Sequence, residues 1–439
     1  MQELVQDPVQ NTTNVWMGFM SSDLAPLRGM KDLLPREWRL AKHIENIAMQ
    51  TAKLYGYEGF STPILESANV FDRTLGDTSD VVSKEMYCFA DKKGRLVALR
   101  PEFTASVMRA VISNGLKHKL PLKLFSSGPL FRYDRPQEGR QRQFHQVNFE
   151  YIGGIGPYSD AETIVLATHF LSNLGILNDL VLELNSLGCS TTRKSYQKAL
   201  VAYFKNYLGS LSTDSKERLE QNPLRILDSK DEGDRHISLG APVISDFYSC
   251  EAAGYFKQLR LHLDNLGIKY VVNPKLARGL DYYSHTTFEF TTSKLGAQST
   301  VLAGGRYDGL AALMGEDEIP AIGFAAGIER LAMMCNFSPE EERLIYIIPI
   351  GDECLDYSVL LINQLRKESI AAILELDGKI GKRLQTAVSA NAKYVIFIGT
   401  EELSTNSCKL KELDTGIEQT VTISKLIKIL LAHKNASFR

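Results

Sequence analysis

The 439-residue sequence lacks several features that would place it in a specialised class of protein. Its six cysteines are scattered without a Cys-x-x-Cys pair, so we expect reduced thiols and neither a structural zinc site nor a disulfide framework. No apolar run approaches the roughly 18 residues that cross a bilayer. The N-terminus has neither the basic start nor the apolar core of a secretory signal. These absences predict a cytoplasmic protein with no membrane partner.

An excess of charge of one sign is also missing. The chain has 50 Lys and Arg residues against 52 Asp and Glu residues, a formal net charge of −2. A nucleic acid would therefore have to be bound by local basic patches rather than by a global field. The length allows two or three domains, and 44% hydrophobic with 23% charged residues is typical of a folded chain.

Changes in pattern along the chain predict its domain organisation. Residues 1–24 are polar and aperiodic, and we expect them to form a flexible extension. A first domain is expected over residues 25–340, with a Lys/Glu-rich helical insertion at about 190–248. In residues 344–439 strand and helix patterns alternate, which predicts a separate α/β domain with a sheet that is mainly parallel.

The stretch from Leu124 to Gly153 organises the rest of the chain. It has the pattern of two strands joined by an arginine-rich loop, and period-two alternation places Gln146 and Glu150 on one face. The segment from Arg132 to Arg142 contains four arginines and two acidic residues, so it has a local excess of positive charge. The forked guanidinium group of arginine suits phosphate oxygens. A solvated basic hairpin is the alternative. The shared face favours a ligand that has both phosphate and ammonium or imidazole groups.

Four segments resemble those of one enzyme family. FRYDRPQEGRQRQFHQVNFE (131–150) resembles motif 2 of the class II aminoacyl-tRNA synthetases, in the form found in the histidyl-tRNA synthetase family. LARGLDYYSHTTFEF (276–290) is the most family-specific segment, VLAGGRYDGL (301–310) is similar to a histidine-pocket segment, and PAIGFAAGIERLAMM (320–334) resembles motif 3. The resemblance covers roughly residues 25 to 430.

The resemblance implies both a fold and an activity. The fold would be an α+β catalytic domain built on an antiparallel sheet with a helical insertion, followed by an α/β anticodon-binding domain. The activity would be that of a histidine–tRNA ligase, which joins histidine to ATP and then transfers it to tRNA(His), with Mg²⁺ on the ATP. A homodimer is implied, with GYEGFSTPILE (56–66), which resembles motif 1, at its interface. The rival is the synthetase-like regulatory subunit of ATP phosphoribosyltransferase, which usually lacks the last domain.

The resemblance also implies roles for particular residues. Two catalytic cations would stabilise the α-phosphate, and these are Arg132 and Arg278. The implied histidine-binding residues are Glu102, Thr104, Gln146, Glu150, Tyr282, Tyr283 and Tyr307. The implied ATP-binding residues are Arg132, Arg140, Phe144 and Arg330. The implied tRNA-binding residues are Arg135, Gln137 and Arg142 in the motif 2 loop and Lys379, Lys382 and Arg383 in the last domain. No structural metal is implied.

Some of these assignments have simpler alternatives. Glu102 and Thr104 lie at the start of a predicted helix, where acidic and hydroxyl side chains are favoured as caps. His285 stands where many family members have Arg, and we interpret it as a variation beside the site rather than as a catalytic base. The insertion at about 190–248 is equally well read as a solvated spacer or as a contact for the acceptor arm.

The basic residues of the last domain have an alternative too. Lys379, Lys382 and Arg383 lie at the start of a predicted helix, where positive charge opposes the helix dipole. This placement mildly favours an anionic partner over a solvated lysine cluster.

Overall fold

The computed structural model describes residues 24–75, 81–227, 229, 231–276, 282–296, 299–336 and 343–437. They form two compact units, one within residues 1–339 and the other within residues 340–439. Apart from Leu24, the predicted extension at 1–24 lies outside the described residues.

The first unit contains both helices and strands. Its strands are Glu58–Gly59 (β1), Leu65–Ser67 (β2), Cys88–Ala90 (β3), Leu96–Leu99 (β4), Leu122–Phe131 (β5), Gln143–Ile152 (β6), Val181–Ser186 (β7), Val271–Val272 (β8), Ser284–Thr291 (β9), Thr300–Arg306 (β10) and Ala321–Gly327 (β11). Its α-helices are Pro35–Leu54 (α1), Ala68–Leu75 (α2), Thr104–Ser113 (α3), Gly156–Asn173 (α4), Ser190–Lys205 (α5), Thr213–Gln221 (α6), Glu232–Ser238 (α7), Cys250–Asn265 (α8), Leu310–Leu313 (α9) and Ile328–Met334 (α10).

Eight of these strands form one sheet, in the order β1-β5-β6-β11-β10-β9-β7-β8. Every pairing from β5 to β7 is antiparallel, whereas the two-residue strands β1 and β8 pair in parallel at the edges. The predicted antiparallel sheet is therefore confirmed, with parallel pairs at its margins. A separate small sheet, β2-β4-β3, was not predicted.

The two faces of the large sheet differ in what covers them. On β6, Val147 and Phe149 point to a core built with α1, α4 and α8, where the Phe149 ring stacks on Phe324 with centroids 4.5 Å apart. The other face of β6 carries Asn148 and Glu150, which are buried polar residues. Helix α3 and the insertion build the core that covers this second face. The predicted period-two alternation is confirmed, and the polar face is the one that forms the site.

The insertion is helical, as predicted, and comprises α5, α6 and α7. Asp234 joins its parts, because its carboxylate accepts hydrogen bonds from the hydroxyls of Ser212, Ser215 and Ser229 at 2.6 to 2.7 Å. Burial opposes ionisation, but these hydrogen bonds hold the pKa of Asp234 below its ordinary value. The charge of Asp234 therefore stabilises the folded insertion.

The second unit has the predicted order of strands and helices, with one further short helix after its third strand. Its strands are Ile345–Pro349 (β12), Ala372–Leu374 (β13), Tyr394–Ile398 (β14), Ser407–Glu412 (β15) and Glu418–Thr422 (β16), and its helices are Leu355–Lys367 (α11), Ile380–Ser389 (α12), Thr400–Ser404 (α13) and Ile423–Ser437 (α14). The sheet order is β13-β12-β14-β15-β16. The first three strands are parallel and the β15–β16 hairpin adds antiparallel pairs, so the sheet is mixed rather than mainly parallel.

Two general expectations can be compared with the structure. All six cysteines are free thiols, and Cys354 and Cys408 are buried. Among the residues that the structure describes, no helix has both the length and the apolar character to cross a membrane.

Candidate active site

The candidate site follows strand β6 across the polar face of the large sheet. An antiparallel strand advances about 3.4 Å per residue, so Phe144 and Glu150 are about 20 Å apart along it. Tyrosines gather near Glu150 and arginines near Phe144. We call the first group the tyrosine end, which comprises Glu102, Thr104, Glu150, Tyr282, Tyr283 and Tyr307. We call the second group the arginine end, which comprises Arg132, Arg140, Phe144 and Arg330.

Glu150 is the centre of the tyrosine end. Its Oε1 accepts hydrogen bonds from the Thr104 hydroxyl at 2.6 Å and from the Asn148 amide at 3.0 Å, and its Oε2 accepts one from the Tyr307 hydroxyl. Burial raises the pKa of Glu150 to about 7, although all three hydrogen bonds act in the opposite direction. Near neutral pH this carboxyl group therefore exchanges between its charged and neutral forms.

Three buried tyrosines surround this carboxyl group. The ring centroid of Tyr282 lies 4.7 Å from that of Tyr283 and 5.8 Å from that of Tyr307. Burial is the main cause that raises the pKa of Tyr282 and of Tyr307 well above the ordinary value. These phenols stay protonated at any physiological pH, so they can donate hydrogen bonds.

Two glycines form the floor between Glu150 and Tyr283. Gly323 on β11 pairs with Glu150 on one side and with Gly305 of β10 on the other. A Cβ atom on Gly323 would lie 1.8 Å from Glu150 Oε2, and one on Gly305 would lie 2.8 Å from Tyr283 Cδ1. Both side chains can lie close to the sheet only because these two positions have no side chain.

Glu102 lies where the sequence predicts it, and it caps a helix. Its two carboxylate oxygens accept the backbone N–H groups of Thr104 at 2.6 Å and Ala105 at 2.7 Å, at the start of α3. Burial raises the pKa of Glu102 despite these bonds. The capping alternative therefore describes Glu102 in this structure, and its contact with an ammonium group stays a prediction. Gln146 is on the same face, and its side chain makes no hydrogen bond to any residue that the structure describes.

Arg132 links the two ends of the site. Its Nε donates to the carbonyl of Pro101 at 2.9 Å, and its guanidinium lies 5.3 Å from the centre of the Phe144 ring. Burial lowers the pKa of Arg132, while Glu85 and Glu102 act in the opposite direction. The cation is thus fixed beside the start of α3 and partly removed from water.

Arg330 completes a cluster of like charge. It lies on α10 and donates to the carbonyls of Thr300 at 2.7 Å and Gly139 at 3.2 Å. Burial is the largest cause that lowers its pKa, followed by repulsion from Arg140 and Arg132. Three guanidinium groups that repel one another favour an anion among them.

Acidic neighbours hold the third arginine of this cluster. Arg140 forms an ion pair with Asp134 and lies 3.7 Å from Glu85. These carboxylates contact the guanidinium as a phosphate would, because carboxylates and phosphates both present anionic oxygens to its N–H groups.

The loop between β5 and β6 contains the other predicted basic residues. Arg135 and Gln137 are exposed. Arg142 is different, because its guanidinium lies 3.7 Å from the centre of the Tyr133 ring and donates to the carbonyl of Asp134 at 3.2 Å. Arg142 therefore braces the loop, whereas Arg135 and Gln137 are accessible.

The cations of the second unit lie at the start of α12, as predicted. Lys379 and Lys382 are exposed. Arg383 donates to the carbonyls of Gly378 at 2.7 Å and Pro349 at 2.9 Å, so it ties the helix to the end of β12. The two lysines are thus more accessible than the arginine.

Two further predicted positions do not join the described site. Arg278, the second predicted catalytic cation, lies outside the residues that the structure describes. The His285 ring stacks on Tyr255 of α8 with centroids 4.5 Å apart, on the side of the sheet away from Glu150. Burial lowers the pKa of His285.

Sequence reasoning missed the support beneath the tyrosine end. Arg306 is 1% exposed, and its Nε donates to Asp160 at 3.0 Å while its Nη1 donates to Asp308 at 2.9 Å. The Tyr255 hydroxyl also donates to Asp160 at 3.0 Å. This network fixes the end of β10, from which Tyr307 reaches Glu150. An arginine inside an otherwise apolar strand was the available signal, because a buried cation requires a partner.

Two other ties were also missed. Arg193 of α5 donates to the carbonyl of Tyr283 at 2.9 Å, which connects the insertion to the tyrosine end. The Glu329 carboxylate accepts the backbone N–H of His145 at 3.0 Å and contacts its Nδ1 at 2.9 Å, which holds α10 and hence Arg330 against β6. Neither long-range contact had a local signal in the sequence.

Comparison with known proteins places this architecture in a class and then in a family. The protein-family model described as histidyl-tRNA synthetase matches residues 29–331, and the family model described as an anticodon binding domain matches residues 344–433. The fold is that of a class II aminoacyl-tRNA synthetase. The chain belongs to the histidyl-tRNA synthetase family.

Individual relatives agree with this placement. The histidine–tRNA ligase of Rickettsia bellii is 55% identical over 412 residues, which cover 94% of this chain and 99% of the relative. The crystal structure of apo histidyl-tRNA synthetase from S. aureus is 34% identical with a TM-score of 0.79, and the match covers 92% of this chain and 99% of that one. A Bacillus halodurans structure described as an ATP phosphoribosyltransferase regulatory subunit/histidyl-tRNA synthetase is 24% identical with a TM-score of 0.63, covering 87% of this chain and 99% of that one. This last likeness shows the fold alone.

Proposed function

We propose that this chain is a histidine–tRNA ligase that makes histidyl-adenylate from histidine and ATP and then transfers histidine to the 3′ end of tRNA(His). One observation carries the proposal: a buried carboxyl–tyrosine pocket and a cluster of three arginines share one sheet face. The first suits a small polar ring and the second suits a polyphosphate.

The tyrosine end would recognise histidine by satisfying both ring nitrogens. A neutral imidazole offers one donor and one acceptor. Glu150 accepts the ring N–H, and Tyr283 donates to the other nitrogen, while Tyr282 and Tyr307 close the pocket. The substrate ammonium group is held by Glu102, Thr104 and Gln146. A pocket built for polar ring atoms rejects an analogue that lacks them by about 10⁴-fold, because buried groups would be left unpaired.

The arginine end would hold ATP. Arg330 and Phe144 contact the adenine, since a guanidinium and an aromatic ring both stack on a flat base. Arg140 contacts the phosphates, which take the place of the carboxylates that now hold it. Arg132 and Arg278 contact the α-phosphate.

The chemistry needs no general base in its first step. The nucleophile is the substrate carboxylate, which is ionised at neutral pH. Negative charge builds on the α-phosphate during attack, and preorganised cations stabilise it most in the transition state. Arg132 meets this requirement because its position is fixed by the Pro101 carbonyl and the Phe144 ring.

Mg²⁺ would accompany ATP and neutralise charge on its phosphates when bound. Among the described residues no group of three His, Cys, Asp or Glu side chains could hold a metal by itself. Mg²⁺ normally needs only one or two carboxylates together with substrate phosphates. Glu289 on β9 supplies a carboxylate near Arg330, and we assign it to this role.

Binding of tRNA would use exposed groups in both units. Arg135 and Gln137 contact the acceptor end, with Arg142 supporting their loop. Residues 344–439 form the anticodon-binding domain, in which Lys379 and Lys382 contact phosphates and Arg383 shapes the start of α12. Residues 25–340 form the catalytic domain, preceded by an extension at 1–24.

A homodimer is part of the proposal. Exposed apolar side chains cluster on α1 and along the segment that follows it, such as Trp38 at 52% exposure and Leu65 at 48% exposure. An apolar surface of this type suits a protein interface. The proposed location is the cytoplasm, where the six free thiols would stay reduced.

The decisive experiment is amino-acid-dependent ATP–pyrophosphate exchange, followed by charging of purified tRNA with each of the twenty amino acids. We expect exchange and charging with histidine alone. A regulatory subunit would bind histidine and give no exchange, and that result would overturn the proposal.

A further inference from the structure

Asn148 lies on the polar face of β6 between Gln146 and Glu150. It is 2% exposed. Its Nδ2 donates to Glu150 Oε1 at 3.0 Å. Its Oδ1 is buried and accepts no hydrogen bond from any residue that the structure describes.

The acceptor sites on the two carboxylate oxygens of Glu150 are filled unequally. Each carboxylate oxygen has two acceptor sites. Among the described residues, Oε1 receives the donors of Thr104 and Asn148, whereas Oε2 receives that of Tyr307 alone. The remaining acceptor site is therefore on Oε2.

The position of Oε2 defines where that remaining site can be reached. Oε2 lies directly above Gly323, where a Cβ atom would be only 1.8 Å away. The two glycines let Glu150 Oε2 and the Tyr283 ring approach the same part of the sheet, because a Cβ on Gly305 would lie 2.8 Å from Tyr283 Cδ1. A ring held between Tyr283 and Glu150 would therefore meet Oε2.

We propose that Asn148 is a positioning residue for amino-acid recognition, which with Thr104 saturates Glu150 Oε1 so that only Oε2 is offered to the substrate ring N–H. The inference rests on the proposed function, because it names the substrate ring as imidazole. Asn148 acts through Glu150 and need not touch the substrate.

The unpartnered oxygen of Asn148 distinguishes this role from a structural one. A buried asparagine that only stabilised the fold would have partners at both ends of its amide, since an unpaired buried acceptor is destabilising. Here one end is left unpaired while the other reaches Glu150. Within the part of the chain that the structure describes, the contact with Glu150 is the one hydrogen bond that the Asn148 side chain makes.

Asn148 also affects the charge of Glu150. Among the described residues, the titratable groups that face Glu150 are Glu102 at the start of α3, the three tyrosines Tyr282, Tyr283 and Tyr307 on the site side, and Tyr57 from the opposite face of the sheet. None of these is a cation, so the neutral donors carry the stabilisation of the charged form. Removing the Asn148 donor should therefore raise the pKa of Glu150.

The test compares Asn148→Ala and Asn148→Asp with the wild-type chain. The aspartate keeps the size and the free oxygen of Asn148 but replaces the donor with an acceptor. Ser127→Ala is the matched control, because the Ser127 hydroxyl is also buried without a partner and stands opposite Val147, on the other face. Histidine-dependent ATP–pyrophosphate exchange is measured from pH 6 to pH 9, with KM determined separately for histidine and ATP.

We expect a pH-dependent loss that is confined to histidine. If the pKa of Glu150 rises by about one pH unit, kcat/KM for histidine in Asn148→Ala falls about fivefold at pH 7 and nearly recovers at pH 9. Asn148→Asp should show a larger loss, and KM for ATP should stay within about twofold in both variants. The titration of free histidine is common to all variants and cancels in the ratio to wild type.

Other results would overturn the inference. An unchanged pH profile with unchanged KM for histidine would show that Asn148 does not position Glu150. A loss that is equal at every pH and accompanied by an equal rise in KM for ATP would show a merely structural role. If the wild-type chain itself gave no histidine-dependent exchange, the proposed function would fail instead.

Discussion

The tyrosine end and the arginine end of the site are organised on opposite principles. At the tyrosine end the polar groups bond to one another, as Glu150 does with Thr104, Asn148 and Tyr307. At the arginine end the cations repel one another and are held by backbone carbonyls and nearby carboxylates. At the first end, hydrogen bonds between neutral donors and one carboxyl group hold the site together, whereas at the second end three mutually repelling cations are held by carboxylates that a phosphate could replace.

This difference indicates how the two substrates would be selected. A neutral, hydrogen-bonded pocket discriminates by shape and by the pairing of each polar atom. A cation cluster discriminates mainly by charge, and its contribution grows as negative charge develops in the transition state. Specificity for the amino acid and acceleration of the reaction should therefore depend on separate residues.

The largest effect is expected at the arginine end. Arg132→Ala should lower the rate of ATP–pyrophosphate exchange by about 10²- to 10³-fold, because a fixed cation is lost where charge develops. KM for histidine should change little, since the tyrosine end remains intact. Steady-state exchange kinetics measure both values.

Two variants serve as references for that change. Arg132→Lys keeps the charge but loses the planar fork, so an intermediate rate is expected. Arg95→Ala removes an exposed arginine of the same unit and should leave exchange unchanged. If KM for histidine rose in Arg132→Ala by as large a factor as the rate fell, histidine binding would also depend on Arg132. The two ends would then not act separately.

The next effect concerns the stability of the tyrosine end. Burial raises the pKa of Glu150 from an ordinary 4.5 to about 7, so the folded chain retains a proton that the unfolded chain has lost. The free energy of unfolding should therefore fall as pH rises through the range from about 4.5 to 7, by about 3.5 kcal/mol in total at about 1.4 kcal/mol per pH unit. Glu150→Gln cannot ionise and should lack this part of the decline. Urea unfolding of the wild-type and Glu150→Gln proteins at pH 5 and pH 8 measures the decline in the free energy of unfolding. Equal declines in the two proteins would show that Glu150 does not titrate with a raised pKa.

A smaller effect is expected at the glycine floor. Gly323→Ala would place its Cβ 1.8 Å from the present position of Glu150 Oε2 and 2.5 Å from the Phe149 backbone oxygen, so both the carboxylate and the neighbouring strand β6 must shift. KM for histidine should rise about 10- to 100-fold, on the order of 1.4 to 3 kcal/mol, while KM for ATP stays similar. Gly309→Ala is the control, because a Cβ there meets nothing within 4 Å. Equal KM values for histidine in wild type and Gly323→Ala would show that the floor is not used.

The smallest effect is expected in the second unit. Its lysines at the start of α12 are cations like those of the arginine end, but they are exposed rather than buried. Lys379→Ala combined with Lys382→Ala should raise KM for tRNA by about 3- to 10-fold and reduce its dependence on salt, since each phosphate contact releases counterions. Exchange without tRNA should be unchanged, and Lys367→Ala is the control. No change in the salt dependence would mean that these lysines are only solvated.

Much of this architecture could be predicted from the sequence, and the reasons are local. The alternation on β6 assigned Glu150 and Gln146 to one face because strand side chains alternate with period two. The order of elements in the second unit was predicted from its alternating strand and helix patterns. The small sheet β2-β4-β3 and helix α8 were not predicted, because short or ordinary amphipathic segments give weak signals.

The remainder of the site depends on contacts between distant parts of the chain. The pairing of Arg306 with Asp160 and the contact of Arg193 with Tyr283 join residues about 90 or more positions apart. Asn148 shares the alternation of Gln146 and Glu150, so its face was predictable but its partner was not. Glu102 shows the reverse case, because the local rule for helix capping described its contacts correctly.

A crystal structure with a non-hydrolysable analogue of histidyl-adenylate tests the central claim most directly. We expect the imidazole above Gly305 and Gly323 with its N–H directed to Glu150 Oε2, and the phosphate mimic against the Arg132 guanidinium. An imidazole bound away from Glu150, or a phosphate mimic that does not contact Arg132, would contradict the account of one sheet face with two complementary ends.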